Sequence, residues 1–150
     1  MKRIGLLALL VGWVAYLVSW FVPVEEDLGT LATGVLPGWE AVKVALSPIL
    51  DRQGIEGHWY LQVIIVMSAL TNLGALFSAV VFSCRPLRRH SLLAGWAMCL
   101  GAVVNSYWFF VLDRSDLQVG YYLWWFSFLV LALGLFVVGR APRESLAGRS

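Results

Sequence analysis

The sequence predicts an all-α integral membrane protein built as a bundle of four transmembrane helices. Hydrophobic residues make up 60% of the 150 residues and charged residues 13%, whereas soluble domains carry about 25% charged residues. Four long apolar stretches contain no Asp, Glu, Lys, Arg or His, and about 20 such residues suffice to cross roughly 30 Å of hydrocarbon. Together they predict a single membrane domain over residues 1–150, with no separate soluble catalytic domain.

The predicted spans follow directly from the apolar stretches, at residues 4–22, 59–83, 92–112 and 120–139. The first span follows Lys2 and Arg3, a pattern that also begins secretory signal peptides. Its apolar run is longer than that of a usual signal peptide, and no small-x-small cleavage site precedes Pro23. We therefore expect the first span to be retained.

The distribution of charge predicts the orientation of the spans. Cations lie before the first span, between the second and third, and after the fourth, at Lys2, Arg3, Arg85, Arg88, Arg89, Arg140, Arg143 and Arg149. The other side holds three cations, Lys43, Arg52 and Arg114, and every acidic residue except Glu144. The positive-inside rule then predicts cytoplasmic N- and C-termini, with residues 140–150 as a cytoplasmic tail. We expect a multi-pass cell-membrane protein of the bacterial inner membrane.

Aromatic residues are concentrated at the outer ends of the predicted spans. They are Trp20, Phe21, Trp59, Tyr60, residues 107–110 and residues 121–126. Such rings favour the headgroup region, which predicts an interfacial anchor belt. An aromatic vestibule that binds a ligand is the alternative interpretation.

Small residues in the first span indicate how its helix packs. Gly5, Ala8, Gly12, Ala15 and Ser19 recur at steps of three and four residues, so they share one helical face. Helices in a bilayer associate through such small residues and through polar side chains. This face is the predicted contact with another span.

Four polar side chains lie near the middle of the predicted spans, Ser68, Asn72, Asn105 and Ser127. Their similar depth predicts one buried polar cluster, because unpaired polar groups in hydrocarbon cost several kcal/mol. The cluster is interpreted as hydrogen bonding between helices, and a site for a polar substrate or ion is the alternative. Asn72 and Asn105 are predicted to be its most important pair.

The outer loop, residues 23–58, contains a predicted amphipathic helix at about 38–50. Its apolar face comprises Trp39, Val42, Leu46, Ile49 and Leu50, and this spacing matches one side of a helix. We expect the helix to lie on the membrane surface or to cap the bundle. The alternative is a lid that contacts a partner or substrate.

Several chemistries are not expected from this chain. The spans lack the ionisable residues on which proton-coupled transporters and voltage sensors depend. Cys84 and Cys99 lie at different depths, which disfavours a disulfide. Asp51, Glu56 and His58 are too few for a typical zinc site. We predict no catalytic set, no metal and no cofactor.

The leading functional hypothesis is a non-enzymatic membrane protein that works by association. It would be an accessory subunit or a homo-oligomer, with the lipid bilayer and a second membrane protein or copy as partners, and without nucleic acid. A channel or transporter for an uncharged small solute is the first alternative. A membrane-embedded enzyme that acts at the outer face, through Asp51, Glu56 or His58, is the second.

Overall fold

The computed structural model describes residues 2–26, 35–43, 59–84, 89–111 and 117–140, and most of them are helical. The elements in chain order are α1 (Lys2–Ser19), β1 (Pro23–Glu26), β2 (Val35–Pro37), α2 (38–43), α3 (Trp59–Ser83), α4 (Ser91–Ser106), α5 (Trp108–Val111) and α6 (Val119–Arg140). The predicted helical class is confirmed, and the two short strands are an addition to it.

Three helical segments of the described residues are long and apolar enough to cross a membrane: Val63–Ser83, Ser91–Phe110 and Val119–Arg140. The first helix contributes a shorter apolar segment, Arg3–Ser19. At 1.5 Å per residue, the 18 residues of α1 extend about 27 Å, slightly less than the hydrocarbon thickness.

Helix α6 is the centre of the bundle. It packs most extensively against α1, then against α4, and only slightly against α3, which packs mainly against α4. Gly5 and Gly12 of α1 contact Val138 and Leu131 of α6, respectively, so these two helices are antiparallel. The backbones of α1 and α3 make little direct contact.

The interface between α1 and α6 is built from glycines that face leucines. A Cβ added at Gly12 would lie 2.9 Å from Cγ of Leu131, and one added at Gly134 would lie 2.7 Å from Cγ of Leu9. Each helix therefore supplies a leucine to a space that the other helix leaves open. Leu9 and Leu131 are both buried in the main apolar core as a result.

Three arginines lie at one end of the bundle. Arg3 is in the first turn of α1, Arg140 ends α6, and Arg89 precedes α4. These helix ends are neighbours, because Gly139 packs against Ser91 and Gly5 packs against Val138.

The opposite end of the bundle is covered by a small cap. Strands β1 and β2 pair antiparallel, with an irregularity between Pro23 and Glu25. The backbone N–H of Gln118 donates to the carbonyl oxygen of Val24 over 3.0 Å. Gly120 lies directly against the carbonyl oxygen of Pro23, where a Cβ would collide with the backbone. The hairpin is thereby fixed to the start of α6.

The cap also includes α2, which corresponds to the first part of the predicted amphipathic helix. The backbone N–H of Trp39 donates to the carbonyl oxygen of Trp20 over 3.2 Å, and Gly38 lies against the carbonyl oxygen of Ser19. A second apolar cluster of Val24, Leu117 and Tyr121 lies beneath the cap. Residues 44–50 of the predicted helix lie outside the described residues.

Replacement of Gly134 by leucine is expected to destabilise the fold. The new side chain would compete with Leu9 for one space, and overpacking of this kind costs about 1–3 kcal/mol. Thermal unfolding in detergent should show a lower midpoint, with Gly134→Ala intermediate. The matched control is Leu133→Met, because Leu133 is 57% exposed. Equal midpoints for Gly134→Leu and Leu133→Met would contradict this view of the interface.

Candidate functional site

The four predicted polar residues are all buried within the bundle. Ser68 and Asn72 lie on α3, Asn105 on α4 and Ser127 on α6, and none is more than 6% exposed. The described hydrogen bonds divide them between two centres, one at Asn72 and one at Asn105.

Asn72 connects three helices. Its Oδ1 accepts hydrogen bonds from the hydroxyl of Tyr16 on α1, over 3.1 Å, and from Nε1 of Trp124 on α6, over 3.0 Å. Its Nδ2 donates to the carbonyl oxygen of Ala69 over 3.2 Å. The carboxamide oxygen thus has a donor from each of two neighbouring helices, and Tyr16 spans the gap between α1 and α3.

Asn105 connects α4 to α3 and α6. Its Nδ2 donates to Oγ1 of Thr71 over 3.0 Å and to the carbonyl oxygen of Gly101 over 2.8 Å. Its backbone carbonyl oxygen accepts a hydrogen bond from the hydroxyl of Tyr121. The Asn105 Oδ1 atom is buried and has no hydrogen-bond partner. Among the buried side-chain atoms that the structure describes, it alone is unpaired.

The two serines have different surroundings. Oγ of Ser68 accepts a hydrogen bond from Nε1 of Trp108 over 2.9 Å, which joins α3 to α5. Oγ of Ser127 donates to the carbonyl oxygen of Trp124 over 2.5 Å, within its own helix. In the described part of the chain, no direct hydrogen bond joins Asn72 to Asn105. The two centres are adjacent through Thr71, the residue before Asn72.

Aromatic hydrogen-bond donors are the part of this site that the sequence reasoning missed. Tyr16, Trp108, Tyr121 and Trp124 all donate inward, to the residues described above. All but Tyr16 belong to the segments interpreted as an interfacial belt. The sequence did contain a signal for such a donor. A buried amide oxygen accepts two hydrogen bonds, and Tyr16 lies inside the first span rather than at its end, where it could donate one.

Other aromatic residues at the capped end of the bundle point outward. Phe21, Phe110, Tyr122 and Phe126 are exposed. For these four residues, the interpretation as an interfacial anchor belt stays a prediction.

The predicted contact face of the outer loop is described in part. Trp39 is exposed and Val42 is half-buried, while Leu46, Ile49 and Leu50 lie outside the described residues. The Nζ atom of Lys43 lies 4.3 Å from the ring centroid of Trp39, within the range of a cation–π interaction. This pair forms the outer surface of α2.

The site contains hydroxyl, amide and indole groups and no charge. The described residues contain no group of three or more His, Cys, Asp or Glu side chains that could hold a metal ion. Cys84 is exposed and Cys99 is partly buried, and both are free thiols. Asp51, Glu56 and His58 lie outside the described residues. The buried groups are therefore suited to neutral hydrogen bonding rather than to proton transfer.

Comparison of the chain with protein-family profiles, with curated proteins and with solved structures finds no match. The functional argument therefore depends on the geometry of the site itself.

The hydrogen bonds of Asn72 lead us to expect that the effect of Tyr16→Phe on stability changes sign when Asn72 is also replaced, as a double-mutant cycle would show. Tyr16→Phe alone should destabilise the protein by about 1 kcal/mol, because it removes a donor from Asn72. Asn72→Leu should cost about 1–3 kcal/mol, because it leaves the Tyr16 hydroxyl and the Trp124 indole without their acceptor. In the Asn72→Leu background, Tyr16→Phe should instead stabilise, since it removes an unpaired hydroxyl. Thermal or denaturant unfolding in detergent measures all four proteins.

Tyr122→Phe is the matched control, because Tyr122 is 41% exposed and the same hydroxyl is removed. It should have little effect in either background. Additive effects of Tyr16→Phe and Asn72→Leu would show that the two residues are not coupled and would contradict the assignment.

Proposed function

We propose that this chain is a small polytopic membrane protein that works by association, as an accessory subunit or as one copy in a homo-oligomer. The observation that carries the proposal is the way the Asn72 centre is paired. Tyr16 and Trp124 occupy its carboxamide oxygen, so this polar group is used to hold helices together. Because this polar group is used inside the bundle, the surface left for binding a partner protein is the apolar outer face of the helices.

The outer surface of the described helices supports the same proposal. α1 exposes a run of apolar side chains on the side away from α6, and α4 exposes another. Both faces suit lipid or a neighbouring transmembrane helix. The described residues include two free thiols and no group of three or more His, Cys, Asp or Glu side chains that could hold a metal ion.

The proposal includes a topology of four spans, with α1 as the first. Arg3, Arg89 and Arg140 would lie on the cytoplasmic side, in line with the positive-inside rule. The cap would then face the outside, and the membrane would be a bacterial inner membrane. The shorter α1 would span with less tilt than its neighbours.

Transport of an uncharged small solute is the second candidate, and one observation favours it. The buried groups around Asn105 are neutral, and Asn105 Oδ1 is an acceptor without a partner. A pathway for a neutral solute would offer such groups. Asn72, Ser68 and Ser127 argue against an open pathway, because each is hydrogen-bonded to an aromatic donor or to backbone.

Association is tested by purification from native membranes in mild detergent, followed by mass determination of the intact particle and identification of its components. The proposal predicts a particle larger than one 16.7 kDa chain after the detergent is subtracted. It would contain a stoichiometric membrane-protein partner or further copies of this chain. The same sample in denaturing detergent is the control and should contain the chain as a single copy.

A single copy without a partner in the mild detergent would contradict association. Cysteine accessibility would then test transport, in a background without Cys84 and Cys99. Asn72→Cys and Asn105→Cys should react with a polar thiol reagent if they line a wet path. Phe110→Cys is the exposed control and Leu131→Cys the buried one, at 86% and 0% exposure of the native side chains.

A further inference from the structure

The end of the bundle with Arg3, Arg89 and Arg140, here called the arginine end, carries positive charge without described acidic partners. Arg89 and Arg140 are both exposed. In the described part of the chain, their guanidinium groups make one hydrogen bond, from Nε of Arg89 to Nε2 of His90 over 3.0 Å. A ring nitrogen that accepts a hydrogen bond carries no proton, so this contact does not neutralise the arginine. The acidic residues of the described ranges all lie in the cap, at the opposite end: Glu25, Glu26 and Glu40.

Close packing of α4 on α6 brings Arg89 and Arg140 to the same place. A Cβ added at Gly139 would lie 2.6 Å from Oγ of Ser91, so the backbone of α6 lies directly against the first residue of α4. Arg140 follows Gly139 in the chain, and Arg89 precedes Ser91 by two residues. The two arginines therefore extend from neighbouring points on one helix–helix contact.

An aromatic pair lies on the same contact, one helical turn from Arg140. Trp96 of α4 packs edge-to-face on Phe136 of α6, with ring centroids 5.4 Å apart. Gly95 leaves the space that the Phe136 ring occupies, because a Cβ there would lie 2.8 Å from its Cε1 atom. Trp96 is 67% exposed. The outer side of this pair is therefore an open apolar surface next to the arginines.

The apolar surface continues along α6 toward the middle of the bundle. Leu129, Leu133, Phe136 and Arg140 recur at steps of four, three and four residues, so they share one helical face. This face is here called the α6 stripe, and its two leucines are 38% and 57% exposed. It extends about 17 Å, close to half of the roughly 30 Å of hydrocarbon. The stripe thus matches the length of one leaflet, with a cation at its end.

We propose that the arginine end of the α4–α6 contact binds one anionic phospholipid. Its phosphate lies between Arg89 and Arg140, and one acyl chain lies along Trp96 and the α6 stripe. Guanidinium groups bind phosphate oxygens through paired hydrogen bonds, and basic sites between transmembrane helices hold the headgroups of anionic lipids. A free phosphate ion would match the arginines and not the apolar stripe, which favours a phospholipid.

The site goes beyond the proposed function, because it assigns a class of lipid to one position on the bundle. It is also independent of association. Both helices that form it, α4 and α6, belong to the same chain and pack directly on each other. A single copy and an oligomer would therefore each carry the site.

Binding is measured on the full chain in a neutral detergent by native mass spectrometry, with phosphatidylglycerol and phosphatidylcholine of equal chain length as probes. The two lipids share their apolar part and differ in the net charge of the headgroup. We expect one phosphatidylglycerol per chain to bind roughly 30-fold more tightly than phosphatidylcholine, from about 1 kcal/mol for each of the two arginines. Equal affinities in the unmodified protein would overturn the proposal.

Two substitutions test the position of the site. Arg89→Gln and Arg140→Gln should each weaken phosphatidylglycerol binding about fivefold and leave phosphatidylcholine binding unchanged. Arg3→Gln is the matched control and should keep the affinity. It removes the same charge from the same end, but on α1, which packs against a different face of α6. An equal loss in all three variants would overturn the site, and if one glutamine variant at the site fails to fold, the other supplies the test.

Inorganic phosphate distinguishes a lipid site from a site for a soluble anion. We expect an excess of phosphate to displace no more phosphatidylglycerol than chloride does at equal ionic strength. Greater displacement by phosphate would overturn the assignment to a phospholipid. Bound lipid is counted per chain in whichever assembly is present, so failure here is distinguishable from failure of the proposed function.

Discussion

The hydrogen bonds to Asn72 Oδ1 are the interaction on which the arrangement of the helices depends. In hydrocarbon a polar side chain finds partners only within the protein. Asn72 meets this requirement with Tyr16 from α1 and Trp124 from α6. Because the backbones of α1 and α3 make little direct contact, the Tyr16 side chain is what relates these two helices to each other. One amide thus fixes the position of α3 relative to α1 and α6.

The remaining packing is organised around α6. Glycines on α1 and α6 accept leucines from the opposite helix, which brings the two backbones close together. On the other side of α6, Gly101 of α4 accepts the ring of Phe128. Close packing of this kind replaces the hydrophobic effect, which provides no drive for association between helices in lipid. The cap then covers the end of the bundle where α6 begins.

The sequence was sufficient to predict the helical membrane class, because length and hydropathy of each segment are local properties. It was not sufficient to predict the β1–β2 hairpin. Its strands have four and three residues, lack a clear alternation of polar and apolar side chains, and are held by contacts with Gln118 and Gly120, far along the chain. Local patterns carry no information about such pairings.

For the site, the sequence predicts how deep each asparagine lies along its helix but not the direction in which its side chain points. The depth of Asn72 and Asn105 follows from the rise per residue of a helix, and so the sequence identifies both as buried polar groups at similar levels. Their partners depend on how each helix is rotated about its axis, which only the packed structure defines. The sequence suggested a shared cluster, and the structure adds which aromatic donors reach it: Tyr16 and Trp124 at Asn72, and Tyr121 at the Asn105 carbonyl.

The most direct test of this account is the distance between α1 and α3 in a lipid bilayer. Spin labels at positions 14 and 73, whose native Val14 and Leu73 are exposed, would report it by pulsed electron paramagnetic resonance in a background without Cys84 and Cys99. The account predicts a narrow distance distribution that becomes broad when Asn72→Leu is introduced. A second pair, at positions 11 and 133, would report the glycine–leucine interface of α1 and α6 and should keep its distribution. An unchanged α1–α3 distribution in the Asn72→Leu protein would contradict the central role of Asn72.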